Sequence, residues 1–391
     1  MPRLLHMADV HLGARHRDLG AAAQKQRDRQ FAAFRRAIDV AIERGVDAVL
    51  IAGDLFDSNA QPRRLADKVA SELRRLADRQ IPTVIIPGTH DCYDPTSIYR
   101  ALDLAELAGL PDGARRLITV LTPAQPDVVL EAADIVVFGR LFDTKKAPRS
   151  PLAGFNAADD TRARHRVGMI HGTLLIPGVV EADDVAFTTD EVAASGLHYL
   201  ALGHWHSFKQ GRAGTTTWAY SGAPEPVAVD QDGAGQVLVV ELADPASGIP
   251  PSIEAVTVGK THFRGIDVDA GAIHSQAELV RELRAYADPD TVLEVRLSGV
   301  APDQLDLHAD EIEKELADQF LRIKVRDGSV AQLPDGPLPP AETIAGAFIR
   351  DLQSRIQSSE AAGDASDAAE LHEVLHLGRV LLDDPARVNL V

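Results

Sequence analysis

Residues 48–57 read Ala48-Val49-Leu50-Ile51-Ala52-Gly53-Asp54-Leu55-Phe56-Asp57, an apolar run that stops at a glycine followed by a carboxylate. A run of this length containing Val and Ile reads as a buried parallel strand. Gly53 lets the backbone turn sharply where the strand ends, so Asp54 sits at a strand's carboxyl end. Open α/β sheets gather their ligands at that edge. A single strand-end Asp carries little weight, because such residues often only cap a turn or a helix.

Four further strands end in the same way. Leu4-Leu5-His6-Met7-Ala8 runs into Asp9-Val10-His11, and Thr83-Val84-Ile85-Ile86-Pro87 into Gly88-Thr89-His90-Asp91. Val167-Gly168-Met169-Ile170 runs into His171-Gly172, and Tyr199-Leu200-Ala201-Leu202 into Gly203-His204-Trp205-His206. Five apolar strands, each delivering Asp or His to one edge of a core, predict a metal site.

The chain around them has 391 residues, a net charge of -18 and one cysteine. That length supports two or three domains with a sizeable core, and no run of eighteen apolar residues suggests a membrane span. Met1-Pro2-Arg3 leads directly into a strand without the apolar stretch of a signal peptide, and one cysteine excludes an internal disulfide. The expected compartment is the cytoplasm. The acidity argues against a broadly basic nucleic-acid surface, although cations held in an acidic site reverse the local sign.

Between the first strands, Gln24 to Gly45 carries Phe31, Phe34, Ile38, Ala41 and Ile42 at helical spacing, and Arg63 to Gln80 reads as a second helix. The resulting βαβαβ order implies a parallel half-sheet. Ser97 to Gly109 reads as a third helix. Short strands follow at Leu117–Leu121, Asp134–Phe138, Thr216–Tyr220 and Val237–Leu242, while 145–166 is irregular, as a mobile loop near the site or a solvated excursion. A first domain over 1–258 closes with a strand at Ser252–Val258. A β-α-β-α-β module occupies 259–330, a proline-rich linker 331–340, and two amphipathic helices 341–391, whose apolar stripes need something to bury against.

Asp9, His11, Asp54, His171, His204 and His206 together offer two carboxylates and four imidazoles, too nitrogen-rich for a plain Ca²⁺ or Mg²⁺ cage and suited to Mn²⁺, Fe²⁺ or Zn²⁺. In Asp9-Val10-His11 and His204-Trp205-His206 the residues stand two apart, so on an extended segment each pair points to one side. Six ligands exceed the needs of one tetrahedral ion, and a carboxylate such as Asp54 can bridge two. A binuclear centre that clamps a phosphate is the chemistry this set supports best.

These five motifs, in this order, resemble those of the calcineurin-like metallophosphoesterases, and Asp9-Val10-His11-Leu12-Gly13 together with the long C-terminal extension resembles the SbcD-type DNA-repair exonuclease subunits. The motifs cover residues 1 to about 210; beyond that the resemblance rests on architecture. It implies a four-layer αββα sandwich, a small α/β capping domain and a C-terminal helix pair. It further implies a metal-dependent exonuclease on DNA ends, two divalent ions with Mn²⁺ the first choice, and a coiled-coil, SMC-like ABC-type ATPase partner engaged through residues 341–391. A homodimer is compatible with it. Carried over residue by residue, Asp9, His11, Asp54 and His206 hold the first metal, and Asp54, His171 and His204 the second. His90 is the catalytic group at the leaving oxygen, oriented by Asp91. Thr89 stands where the family usually has an asparagine metal ligand; its shorter hydroxyl implies a weaker second site.

The remaining histidines, His6, His16, His165, His198, His262, His274, His308, His372 and His376, lack this strand-end context and read as structural or surface residues, with His16 on the first loop the main exception. Cys92 reads as a small buried hydrophobe, and Arg15, Arg17, Lys145, Lys146, Arg162 and Arg164 as mostly solvated. Two other functions compete with the nuclease: a small-molecule phosphodiesterase or phosphatase, and an end-binding scaffold subunit weakened by Thr89. The C-terminal modules favour the nuclease, since a minimal small-molecule enzyme needs neither.

Overall fold

The structure is a computed structural model and describes residues 1–176, 185–229, 231, 233–302, 305–331, 338–362 and 365–383. It divides into two units, Met1–Thr261 and His262–Val391.

The first unit begins with the predicted alternation: β1 (Arg3–Met7), α1 (Ala23–Arg44), β2 (Ala48–Ala52), α2 (Arg63–Ala77) and β3 (Thr83–Ile86). These three strands pair in parallel, with Met7 opposite Ile51 and Ile51 opposite Ile85. Every residue of β2 is buried, as a strand covered on both faces requires. The expected helix over 97–109 forms in two pieces, α3 (Ile98–Ala101) and α4 (Leu104–Leu107). Leu102 is extended, and Asp103 restarts the helix by accepting from the N–H groups of Ala105 and Glu106. A short acidic side chain competes for backbone donors in this way.

The chain continues through β4 (Ile118–Val120), β5 (Asp127–Leu130), β6 (Ile135–Gly139), β7 (His165–His171), β8 (Thr173–Leu175), β9 (Ala186–Thr188), α5 (Thr189–Ala194), β10 (Tyr199–Gly203), β11 (Lys209–Ala213) and β12 (Thr216–Tyr220), then returns through β13 (Gln236–Glu241) and β14 (Ser252–Thr257). Two six-stranded sheets result, ordered β14-β13-β1-β2-β3-β4 and β11-β12-β10-β7-β6-β5. Strands β5, β8, β9 and β11 escaped the sequence reading because they are short, and β11 in particular, Lys-Gln-Gly-Arg-Ala, has no apolar period.

Alternation along each strand builds the layers. Leu5, Val49 and Ile51 meet Phe34, Ile38, Val69 and Leu73 of α1 and α2 on one face of the first sheet. Leu4, Leu50 and Val84 on its other face meet Val137, Met169 and Tyr199 of the second sheet. The outer face of the second sheet carries Ile170, Leu200 and Leu202 against Val192 of α5, Leu197 and Leu152. This is the four-layer αββα sandwich. The irregular stretch is not a free loop: Leu152, Ala157 and Ala163 are buried, Phe155 stacks edge-on to Phe138 at 5.4 Å, and β7 takes over at His165.

The second unit contains the β-α-β-α-β elements read from the sequence and two further short strands. Strand β15 (His262–Asp269), helix α6 (Gln276–Leu283), β16 (Asp288–Ser298), β17 (Val300–Ala301), α7 (Ala309–Leu316), β18 (Phe320–Asp327) and β19 (Val330–Ala331) enclose a core of Leu279, Leu283, Leu293, Val295, Ile312 and Leu316. Its three-stranded sheet, β15-β16-β18, is parallel throughout. Residues 332–337 of the proline-rich linker lie outside the described residues. Helices α8 (Ile344–Ala362) and α9 (Ala365–Asp383) follow, packed where Gly378 passes the Phe348 ring. Ile349, Leu352 and Ile356 of α8 are buried, whereas Ile344, expected on the same stripe, opens the helix and is 82% exposed.

Candidate metal centre

Past their carboxyl ends, β1 and β2 remain in step. The N–H groups of Asp9, His11 and Leu12 donate to the carbonyls of Gly53, Asp54 and Leu55 at 3.1, 2.9 and 3.0 Å. The expectation that Asp9 with His11, and His204 with His206, ride extended segments is corrected here. Asp9, His11, Asp54 and His204 have φ of 56°, 49°, 51° and 103°, so each loop turns sharply to carry its side chain inward. A non-glycine residue held in this region costs on the order of 1–3 kcal/mol, and such strain clusters at functional sites.

Asp54 is the centre of the arrangement. Its Oδ1 accepts the His90 N–H at 2.8 Å, which turns Oδ2 toward His171 Nε2 at 3.1 Å, His11 Nε2 at 3.8 Å and the Thr89 hydroxyl at 3.5 Å. His171 Nδ1 donates to Ala52 O at 3.0 Å, which leaves Nε2, buried, as the ring atom turned to Asp54 and the one a cation would take. The backbone comes very close here: a Cβ at Gly53 would fall 2.3 Å from His171 Nδ1, and one at Gly88 2.2 Å from Asp54 Oδ1. Only glycine fits at either position.

On the other side His11 and His206 bring their Nε2 atoms to 3.1 Å of each other. His206 Nδ1 is held by the Gln231 amide at 2.6 Å, and Asp9 accepts the His204 N–H with both oxygens at 3.0 and 3.1 Å. Among the described residues, donor atoms within 4.8 Å of one another form three sets: Asp9, His11 and His206; Asp9, Asp54 and His171; and His11, Asp57 and His90. Facing nitrogens and an orphaned buried imidazole nitrogen beside a carboxylate fit divalent cations better than they fit each other.

The charges agree with that fit. Burial opposes the ionised form of Asp54, but the neighbouring His171 and His11 outweigh it and hold its carboxyl far below the usual range. Burial likewise works against a charged His171, yet the Asp54 charge pushes it up to about 10. His11 is raised by Asp57, Asp54 and Asp9 in spite of its burial, whereas for His206 burial prevails and its affinity for a proton falls.

Of the residues named from sequence, Asp9, His11, Asp54, His171 and His206 converge in the first two sets. The His204 ring lies outside the sets but packs edge-on to His171, 5.3 Å between centres. Thr89 meets Asp54. His90 is half exposed and donates from Nδ1 to Asp57 O at 3.0 Å. The assignment of Asp91 as its orienting partner is corrected: the Asp91 carboxylate is fully buried and accepts from Gly88 N–H at 2.7 Å, Phe56 N–H at 3.1 Å and the Tyr99 hydroxyl at 2.5 Å. It shapes the two loops and leaves the His90 ring to Asp57. Asp57, quoted in its motif but given no role, is the residue the sequence reading missed; its place three after Asp54 on the same loop was the available signal.

Among the other histidines, His6 is core: the Tyr199 hydroxyl meets its Nδ1 at 2.8 Å, and its Nε2 lies 3.2 Å from Leu202 O. His16 contacts Gln30 at 2.7 Å. Burial pushes the Cys92 thiol up to about 11, which makes it inert.

Comparisons with known proteins cover the span that holds these residues. The family model described as calcineurin-like phosphoesterase matches residues 2–208, the whole span from β1 through His206. The DNA double-strand break repair protein Mre11 of Aeropyrum pernix is 31% identical over 278 residues, 69% of this chain and 64% of that protein. The chain thus spans slightly less than two thirds of that relative's length. The Halobacterium salinarum protein of the same name is 28% identical over 397 residues, 99% of this chain and 96% of its own. The uncharacterized metallophosphoesterase YhaO of Bacillus subtilis is 26% identical over 208 residues, 52% of this chain and 48% of that protein.

Proposed function

The chain belongs to the calcineurin-like phosphoesterase family, and from that premise we propose that it is a binuclear-metal-dependent DNA nuclease acting on DNA ends in repair. The observation that carries the reading is that Asp54 Oδ2 faces His171 Nε2 at 3.1 Å and His11 Nε2 at 3.8 Å, one histidine from each of the two proposed ligand groups. Asp9, His11, Asp54 and His206 are assigned to one ion, and Asp54, His171, His204 and Thr89 to the other, with Mn²⁺ preferred over Fe²⁺ and Zn²⁺. Two such ions would polarise a phosphoryl group and lower the pKa of water. The protein's own groups do the remaining work. The His90 N–H orients Asp54. Because His90 Nδ1 donates to Asp57 O, its Nε2 faces the substrate side; in the imidazolium form Nε2 carries the second proton, which passes to the leaving oxygen and leaves the neutral ring, and the exposure of the ring lets a substrate reach it.

DNA as substrate is supported by the two relatives named as DNA double-strand break repair proteins, one aligned over 99% of this chain. The proposed partner, a coiled-coil ATPase, docks on 341–391, where Ile344, Val374 and Leu382 are 82%, 43% and 44% exposed. Deleting 341–391 should abolish capture of that ATPase and spare hydrolysis of a small phosphodiester; unchanged capture, or an unfolded remainder, would end this part of the proposal. Cytoplasmic residence belongs to the same reading. Among the described residues no helix is long and apolar enough to cross a membrane.

The deciding experiment incubates the pure chain with Mn²⁺ and, separately, end-labelled duplex, single-stranded DNA and bis(p-nitrophenyl) phosphate. Mn²⁺-dependent release from DNA is expected. Hydrolysis of the small diester alone would favour the small-molecule phosphodiesterase, and no hydrolysis of any substrate the scaffold subunit.

A further inference from the structure

A small basic pocket shares a wall with the metal centre. Its volume is about 20 Å³, and Gly88, Thr89, Arg140, Lys145 and His171 are among its lining residues. That is room for a single oxygen centre. Arg140 immediately follows β6, and its N–H donates to Met169 O at 2.9 Å, extending the pairing with β7. It therefore leaves the sheet next to the strand that ends at His171.

The side chain is held on two sides. Nε donates to Pro151 O at 3.1 Å, and the guanidinium carbon lies 4.5 Å from the centre of the Phe155 ring. Pro151 and Phe155 flank the buried Leu152, so the anchor itself is fixed to the core. These contacts set the plane of the guanidinium and leave its two terminal nitrogens as donors. Among the described residues no carboxylate pairs with Arg140, and its half-burial, with Arg149 nearby, holds its proton affinity below that of an ordinary arginine. A partly desolvated cation without a counter-charge is unfavourable until an anion arrives.

We propose that Arg140 is a substrate-binding residue of this site, its terminal nitrogens donating to two non-bridging phosphoryl oxygens of the substrate, or of released phosphate, one of them seated in the pocket beside Thr89. The clamp rests on the phosphodiesterase reading and names where that substrate's phosphate sits. A planar fork suits two oxygens of one phosphate, and Lys145 adds charge at the rim without geometry of its own.

The test compares the full-length wild type with Arg140→Met and Arg140→Lys, the latter keeping charge and aliphatic stem so that folding is preserved. Three quantities are read: Mn²⁺ content per chain, calorimetric affinity for inorganic phosphate in the Mn²⁺-loaded protein, and KM against kcat for bis(p-nitrophenyl) phosphate. Arg140→Met should weaken phosphate binding and raise KM by about tenfold or more, with Mn²⁺ content unchanged and kcat altered much less; Arg140→Lys should fall between it and wild type. Phosphate affinity equal to wild type in both variants, or loss of Mn²⁺ alongside it, overturns the clamp. If the wild type hydrolyses nothing, the phosphodiesterase reading fails, and phosphate affinity still decides on Arg140: about tenfold weaker binding in Arg140→Met keeps it as an anion site, and equal binding removes it.

Discussion

Asp54 Oδ2 lies 3.1 Å from His171 Nε2, while the other ring nitrogen of that histidine is bonded to Ala52 O at 3.0 Å. Without metal the two form an ion pair, with His171 pushed up to about 10 by the Asp54 charge. A cation that takes Nε2 must displace this proton. Binding should therefore release about one proton per ion at this position, and affinity should rise with pH up to about pH 10. Calorimetry at pH 7 in buffers of different ionisation enthalpy measures the release; none would show that His171 is no ligand.

Asp91 accepts three hydrogen bonds from the Gly88, Phe56 and Tyr99 donors and none from the His90 ring. Asp91→Asn replaces one acceptor oxygen with a donor that faces another donor. A loss of about 1–3 kcal/mol in unfolding free energy is expected, and Tyr99→Phe should lose about 1 kcal/mol. Urea unfolding measures both. An Asp91→Asn protein as stable as wild type, with turnover reduced as in His90→Ala, would restore the orienting role.

Burial pushes His6 down to about 3, against 6.5 for an ordinary histidine, with only the Leu202 carbonyl opposing. Folded His6 stays neutral where the unfolded chain takes up a proton. Its contribution to stability is complete above pH 6.5, declines as pH falls toward about 3 and changes no further below that. At about 1.4 kcal/mol per unit, this amounts to a few kcal/mol. Urea unfolding of chelator-treated wild type and His6→Gln at pH 7 and pH 4.5 should show the smaller acid loss in His6→Gln. Equal losses would remove His6 from the acid response.

The Thr89 hydroxyl stands 3.5 Å from Asp54 Oδ2. Thr89→Asn extends a carbonyl toward the same place and should tighten the weaker of two Mn²⁺ sites by about tenfold, raising turnover at low metal. Mn²⁺ calorimetry of the two proteins decides it; identical second-site affinities would show that Thr89 already ligates as well as asparagine.

The candidate centre was legible because its proposed ligands follow strands with long apolar runs, and because Gly53 and Gly88 mark where backbone and side chain must nearly touch. The path of each loop was not. The left-handed backbone at Asp9, His11 and Asp54 accompanies two loops bonded past their strand ends, and that at His204 a backbone N–H bonded to the Asp9 carboxylate, tertiary facts that residue spacing does not encode. The resemblance implied that Asp91 orients His90, but its partners include Tyr99, eight residues on and hidden in a segment read as one unbroken helix. Arg140 depends on Pro151 and Phe155, whose stretch has no periodicity of its own. Buried strands announce themselves locally; the partners of a polar side chain do not.

A carboxylate at Asp54 that serves two ions and an exposed imidazole at His90 that serves the chemistry have separable consequences. Metal content and Mn²⁺-dependent hydrolysis, measured together on wild type, Asp54→Asn and His90→Ala, test both roles most directly. Wild type should hold about two Mn²⁺ per chain, Asp54→Asn should lose both ions and all activity, and His90→Ala should keep both ions while turnover falls by about a hundredfold or more. An Asp54→Asn protein that stays active with two ions bound, or a His90→Ala protein emptied of metal, would contradict these roles.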